Sequence, residues 1–470
     1  MEIHIDLAGA RGHRDAIYRQ LRAAILAGRI RPGEALPPTR ELAQRLAVSR
    51  TTVSAAYDRL TAEGFLTGRV GAGTFVTASP VERPSPVPDG PGVRPLPEWD
   101  AVPRPPAPFA PAPEFDFRPG VPDLSLFPFD TWRRLITQRL RAGQADLMTY
   151  GDPQGHAGLR AEIARHIGVS RDVRASAAQV VVTAGAQQTT DLVARVLLRT
   201  GDLAAVEDPG YPPPRLVLGA RGVHVAPVPV DASGIVVDAI PAGTRLVYVT
   251  PSHQYPLGLS MSLERRLELL DWAERNDAVL LEDDYDSEFR YTGRPLEPLH
   301  SLDSRGRVVY VGSFSKVLSP ALRLGFLVAP PSLVPALVKA RYLTDWHAPN
   351  VEQAALAAFM AEGGFARHVR RMRKVYRARH ELLSRSLASF ADFLTPLPST
   401  AGLHLSAVAA ADCGPLVRAA RRRGVRLYSL GDFGAGERRH GLVFGYGAIA
   451  AERIEPGLAR LRALADEGAA

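Results

Sequence analysis

Apolar residues recur every third or fourth position through the first part of the chain, and then the period changes. In AIYRQLRAAILAG (16–28), Ile17, Leu21 and Ile25 fall on one helical face, and Gly28 follows as a stop. PPTRELAQRLAV (37–48) predicts a second helix opened by a proline pair, with Thr39 as its N-cap candidate and Leu42 and Leu46 spaced i, i+4. After a short turn, SRTTVSAAYDRLTAEG (49–64) predicts a third, capped by Ser49, with Val53, Tyr57 and Leu60 facing inward. FLTGRVGAGTFV (65–76) closes this region with two strand signals around a glycine-rich turn. From about Phe115 onward, short Val- and Leu-rich runs (QVVVTAG, DLAAVEDPG, RLVYVTPS, AVLLEDDYD, VVYVGSFSK, RLGFLVAP) alternate with helical stretches such as QQTTDLVARVLLRTG and LERRLELLDWAERND. That alternation predicts a mainly parallel sheet with helices on both faces.

Between the two patterns lies a stretch that can build neither. Residues 79–113 hold 13 of the 40 prolines, which removes backbone donors and favours an extended, semi-rigid spacer. The predicted organisation is therefore a head over 1–78, a Pro-rich linker over 79–114 and a large body over 115–470. Charge sharpens the division: residues 11–78 carry 11 Arg against 5 Asp or Glu, a balance of +6, within a whole-chain net charge of +8. An arginine-rich small segment on a nearly neutral large one is the footprint of a polyanion ligand, with double-stranded DNA the first candidate. No run of eighteen apolar residues is present, which argues against a membrane span. The start of the chain has Glu2, Asp6 and no apolar core of a secretory signal. The single cysteine, Cys413, excludes an internal disulfide framework and a cysteine-based zinc site. A cytoplasmic protein with no metal is expected.

The head reads as a winged helix-turn-helix. Its second short helix follows the first across a tight turn, and Arg50, Thr51 and Thr52 at its start would face base edges in the major groove. Arg69 and the Gly71–Ala72–Gly73 turn would form a wing whose small residues let backbone approach the nucleic acid. LPPTRELAQRLAVSRTTVSAAYDRLTAEGFLTGRVGAGTFV resembles the DNA-binding domain of the GntR family of bacterial regulators. The resemblance implies that Arg40, Arg50, Thr51 and Thr52 occupy DNA-contacting positions and that Gly71 belongs to the wing.

In the body, polar residues gather where the predicted strands end, which is where ligands bind in such sheets. One of them is unusual. Only three lysines, Lys316, Lys339 and Lys374, stand among 57 basic residues, and lysine alone can lose its proton and attack a carbonyl carbon. Lys339 and Lys374 read as helix-surface residues, whereas Lys316 lies in YVGSFSKVLSPALRLGF with Ser313, Ser315 and Arg323. LLEDDYDSEF adds Asp283 and Tyr285, which project to the same side if the strand runs that far. TAGAQQ adds a glycine turn opening a helix, whose N–H groups can cradle a phosphate. An amine, a carboxylate, a phenol and a phosphate cradle together suit pyridoxal 5'-phosphate.

The body resembles fold type I, the aspartate aminotransferase fold of pyridoxal phosphate enzymes. That resemblance implies Lys316 as the Schiff-base lysine, Asp283 as partner of the pyridine nitrogen and Tyr285 as the phenol on the ring hydroxyl. It also implies Ser313, Arg323 and the Gly185–Ala186 amides as phosphate ligands and Tyr211 as the ring-stacking aromatic. Tyr150 matches a tyrosine that reaches the neighbouring subunit's phosphate, implying a head-to-tail homodimer. In TPSHQYPLG, Tyr255 stands where that fold has Asn, with His253 and Gln254 beside it, so the usual Asn contact is absent or replaced, and His253 is taken as a candidate cofactor contact.

The order of GntR-like head, long linker and aminotransferase-like body resembles the MocR subfamily of bacterial regulators, as do FRPGVPDLSLFP, YGDPQGHAGLR and EDDYDSEFRY. The competing reading is a working aminotransferase with an accessory head. Transamination needs a bidentate arginine for the substrate carboxylate. In RRHGLVFGYGAI the matching position falls on Val443 or a neighbour, with Arg439 on the preceding loop and Arg215 as another candidate. The resemblance then implies a regulator that senses pyridoxal phosphate and controls vitamin B6 or amino-acid metabolism genes, with any transaminase activity residual. An amino-acid effector held by Arg215 or Arg439 is the alternative.

Overall fold

A computed structural model of the chain describes residues 5–7, 12–69, 71–77, 92–96, 99–100, 102–103, 113–141, 145–293, 297–436 and 439–469. It forms two units, Met1–Pro95 and Leu96–Ala470. Most of the proline-rich linker lies outside the described residues. In the first unit, helices α1 (His13–Leu26), α2 (Thr39–Arg45) and α3 (Arg50–Ala62) pack on a three-stranded antiparallel sheet. Its strands are β1 (Ala35–Leu36), β2 (Leu66–Arg69) and β3 (Gly73–Val76), in the order β1-β3-β2. Ile17, Leu21, Val53 and Leu60 are wholly buried and join Ile25, Leu42 and Tyr57 in one core. Gly28 ends the first helical region at φ +70°, a conformation that suits glycine. Thr39 is not an N-cap: Pro38 occupies that place and Thr39 is the first helical residue. The fixed φ of proline already sets the entry angle, so no side-chain acceptor is required. Ser49 is the cap of α3, its oxygen accepting from Thr52 N at 3.2 Å. Ser49→Ala is expected to destabilise the head by about 1 kcal/mol, seen as a lower melting temperature for the head.

The second unit begins with β4 (Phe115–Asp116). Its large sheet contains β5 (Val180–Thr183), β6 (Leu203–Asp208), β7 (His224–Asp231), β8 (Gly234–Ile235), β9 (Thr244–Val249), β10 (Val279–Asp284), β11 (Val308–Ser313) and β12 (Gly325–Val328). Their order is β5-β12-β11-β10-β9-β6-β7-β8. Five adjacent strands, β11 through β7, run parallel, and β12 is antiparallel to both its neighbours. Alternation along β10 explains the layering. Leu281 points to the helices Ala186–Leu197 and Val334–Asp345, while Leu280 points to the helix Leu263–Arg275. A smaller antiparallel layer holds β13 (Leu394–Pro396), β14 (His404–Ala409), β16 (Tyr428–Ser429) and β17 (Gly441–Gly445), while β15 (Val425–Arg426) pairs in parallel with β4. Among the described residues no helix is long and apolar enough to cross a membrane.

Candidate cofactor site and nucleic-acid surface

The carboxyl ends of β5, β6, β9, β10 and β11 open on one cavity of about 210 Å³. Asp283 sits one residue before the end of β10, Tyr285 just past it, and Ser313 ends β11, so Ser315 and Lys316 follow on the turn. Arg323 enters from the turn before β12 in a left-handed conformation (φ +50°). Gly185 precedes the helix Ala186–Leu197 at φ +113°, and Tyr211 follows β6. All of these residues line the cavity.

The electrostatics are those of a buried acid facing a buried amine. Asp283 Oδ2 accepts from the Tyr248 hydroxyl, while Oδ1 is buried with no hydrogen-bond partner. Burial pushes this carboxyl up to about 7, against the opposing pull of the Tyr248 hydrogen bond and the Lys316 charge. Burial likewise draws the Lys316 amine below its ordinary value, with Asp286 and Asp283 opposing. Burial that favours the neutral form of an amine makes it a better nucleophile.

The residues present fit pyridoxal phosphate. An orphaned carboxylate oxygen is a ready acceptor for a pyridine N–H, and such an atom is costly to leave unmade. The helix Ala186–Leu197 begins without a side-chain cap, leaving amide donors and a positive dipole end beside Arg323. Gly185 N already donates to Thr183 Oγ1 at 3.3 Å, so Ala186 is the freer of the two predicted amides. Across the cavity, Gly120 is left-handed (φ +71°), and a Cβ there would stand 3.0 Å from Lys316 Nζ.

Several predicted contacts fall elsewhere. His253 does not line the cavity, and Tyr150, expected at a neighbouring subunit's phosphate, lies outside this chain's own cavity. His253 lies behind Tyr285, whose hydroxyl donates to the His253 carbonyl at 2.8 Å. Tyr150 is 74% exposed and stacks on Trp346 with ring centroids 4.5 Å apart. Arg215 and Arg439 are also absent from the wall, and Arg439 donates to the Val230 carbonyl at 2.6 Å. Val443 is fully buried in an apolar cluster with Leu257, Leu430 and Phe433. Pro119, Gly120, Thr250 and Tyr255 line the cavity as well. Of these, Gly120 was signalled by FRPGVPD, and Tyr255 by its place before Pro-x-Gly; Tyr248 carried no signal beyond its strand.

On the head, Arg40, Arg50 and Thr51 are exposed and Thr52 is half-buried, all along α2 and α3. Arg40 and Arg50 have no ion-pair partner among the described residues. Both threonine hydroxyls are engaged with Ser49 Oγ, at 2.8 Å for Thr51 and 2.7 Å for Thr52. On the wing, the Arg69 guanidinium lies over the Phe75 ring at 4.9 Å, and Gly71 is exposed at φ +76°.

Comparison with known proteins agrees with this geometry. Residues 13–76 match the family of bacterial regulatory proteins called gntR, and residues 120–428 match aminotransferase class I and II. The chain is 39% identical to the probable rhizopine catabolism regulatory protein MocR of Rhizobium meliloti, covering 95% of this chain and 92% of the relative. It is 35% identical to the pyridoxine biosynthesis transcriptional regulator PdxR of Corynebacterium glutamicum, covering 92% and 91%. The body superposes on LysN, an alpha-aminoadipate aminotransferase from Thermus thermophilus, with a TM-score of 0.69 and 30% identity, covering 75% of this chain and 92% of that one. Head and body define a transcriptional regulator with a DNA-binding winged helix-turn-helix and a pyridoxal phosphate-binding, aminotransferase-like domain. The chain belongs to the MocR family of GntR-type regulators.

Proposed function

We propose that pyridoxal 5'-phosphate in the Lys316 cavity is the effector of this regulator. One observation carries the reading: among the described residues the cavity wall offers a single guanidinium, Arg323, beside the phosphate cradle, while Val443 is sealed in an apolar cluster. Among the described residues, a carboxylate ligand therefore meets no second bidentate cation. When bound, the cofactor supplies an aldehyde carbon and an electron-withdrawing ring. Lys316 holds it through its amine, Asp283 Oδ1 accepts from its ring nitrogen, Tyr211 and Tyr285 bound the ring, and Ala186, Ser313, Ser315 and Arg323 take the phosphate. Arg40, Arg50, Thr51, Thr52, Arg69 and Gly71 face DNA. The exposed Tyr150, stacked on the half-buried Trp346, supports a head-to-tail homodimer. The segments 1–78, 79–114 and 115–470 are the DNA-binding, linker and effector-binding parts of a cytoplasmic protein. The pyridoxine biosynthesis role in the name of the PdxR relative supports vitamin B6 genes as targets.

Binding of the chain to its own upstream DNA, with and without pyridoxal phosphate and with candidate amino acids, tests this reading. Pyridoxal phosphate alone is expected to shift the binding midpoint. A shift that requires an amino acid, with none from pyridoxal phosphate, would give the role to the alternative held by Arg215 or Arg439.

A further inference from the structure

Behind Tyr285 lies a buried cluster that the cofactor reading leaves unused. His253 and Asp286 are 2% and 1% exposed, and His253 Nδ1 stands 3.1 and 3.2 Å from the two Asp286 oxygens. The Tyr285 oxygen is 3.0 Å from the same Nδ1, and its hydroxyl reaches the His253 carbonyl at 2.8 Å. On the far edge of the ring, Nε2 lies 3.3 Å from Ser399 Oγ, which donates to the Ala401 carbonyl at 3.1 Å. Gly402 (φ +84°) closes over this pair, and a Cβ there would collide with the His253 ring. The His404 ring packs 4.7 Å away and is fixed by its own bond to the Pro256 carbonyl.

Counting protons defines what the cluster does. Ser399 spends its one proton on Ala401, so His253 Nε2 must carry one to donate to it. Tyr285 spends its one proton on the His253 carbonyl, so a second proton must lie between Nδ1 and Asp286. With that proton on Nδ1 the pair is neutral overall, the N–H is shared between Asp286 and the Tyr285 oxygen, and Nδ1 and the carbonyl of one residue together fix the phenol. We infer that His253, oriented by Asp286 and Ser399, is the positioning residue for the Tyr285 hydroxyl and ties the cofactor wall to the Ser399–Gly402 turn of the smaller layer. This rests on the proposed binding of pyridoxal phosphate at Lys316 and adds the device that aims one of its contacts.

A double-mutant cycle on the full-length chain tests it, with the dissociation constant of the apoprotein for pyridoxal phosphate as one readout and the absorption maximum of the bound cofactor as another. Tyr285→Phe and His253→Gln are each expected to weaken binding roughly 3- to 10-fold, and the double variant no more than the weaker single, because one interaction is removed twice. Both singles should move the absorption maximum in the same direction. Ser399→Ala, on the outer ring edge, is the gentler variant should His253→Gln not fold. It should weaken binding in the wild-type background and have no effect with Tyr285→Phe. Losses that multiply, or wild-type affinity in His253→Gln, would overturn the inference while leaving the cofactor reading intact. A wild-type chain that binds no pyridoxal phosphate would overturn the cofactor reading and this with it.

Discussion

Lys316→Ala is expected to abolish the visible absorption band of bound pyridoxal phosphate and, with it, the effect of that ligand on DNA binding. The loss should be complete, because no other amine lines the cavity among the described residues. Lys339 and Lys374 are exposed on the helices Val334–Asp345 and Gly364–Ser386. Burial favours the neutral amine at position 316. Absorption spectra of the purified variant after dialysis decide the point. Retention of the band would assign the attachment to a different residue, and retention of the DNA response without the band would separate sensing from attachment. Circular dichroism should show the fold unchanged, since a desolvated amine contributes little to holding it together.

The second large effect is expected on the head. Arg50 opens α3, exposed and without an ion-pair partner among the described residues, at the end of the helix that enters the major groove in this motif. Arg50→Ala should weaken operator binding roughly 10- to 100-fold at fixed salt, the cost of a bidentate base contact. The cofactor spectrum should not change. Measuring the salt dependence separates two origins: a base contact leaves the slope of affinity against salt intact, while a phosphate contact lowers it by about one and weakens all sequences alike. Binding equal to the wild type would place the recognition surface elsewhere on the head.

The strand ends were legible because each strand is an apolar run broken by a polar residue, and a parallel sheet gathers such breaks at one edge. Asp283, Tyr285, Ser313 and Lys316 needed only that local rule. His253 was not legible in the same way. Its neighbours in the chain point to the cavity, but its position depends on Asp286, on Ser399 and on a glycine at 402, partners that no local period brings together. β7 was missed because Pro227 and Pro229 demote a strand, yet they occupy exposed alternate positions beside the two-residue β8, where a missing donor costs least. Thr39 was misplaced by one residue because a threonine after two prolines satisfies the N-cap preference without being needed for it. The smaller layer left little trace, since its strands are two to six residues long and interrupted by turns.

The pairing of β4 with β15 has a mechanical side. It clamps the body's first residues, just past the proline run, to the smaller layer, and Gly120 follows four residues after the strand ends at Asp116. Gly120 is also the wall that faces the Lys316 amine. The wall that faces the amine and the end of the predicted linker at Glu114 are thus six residues apart on one backbone, with the β4–β15 pairing between them.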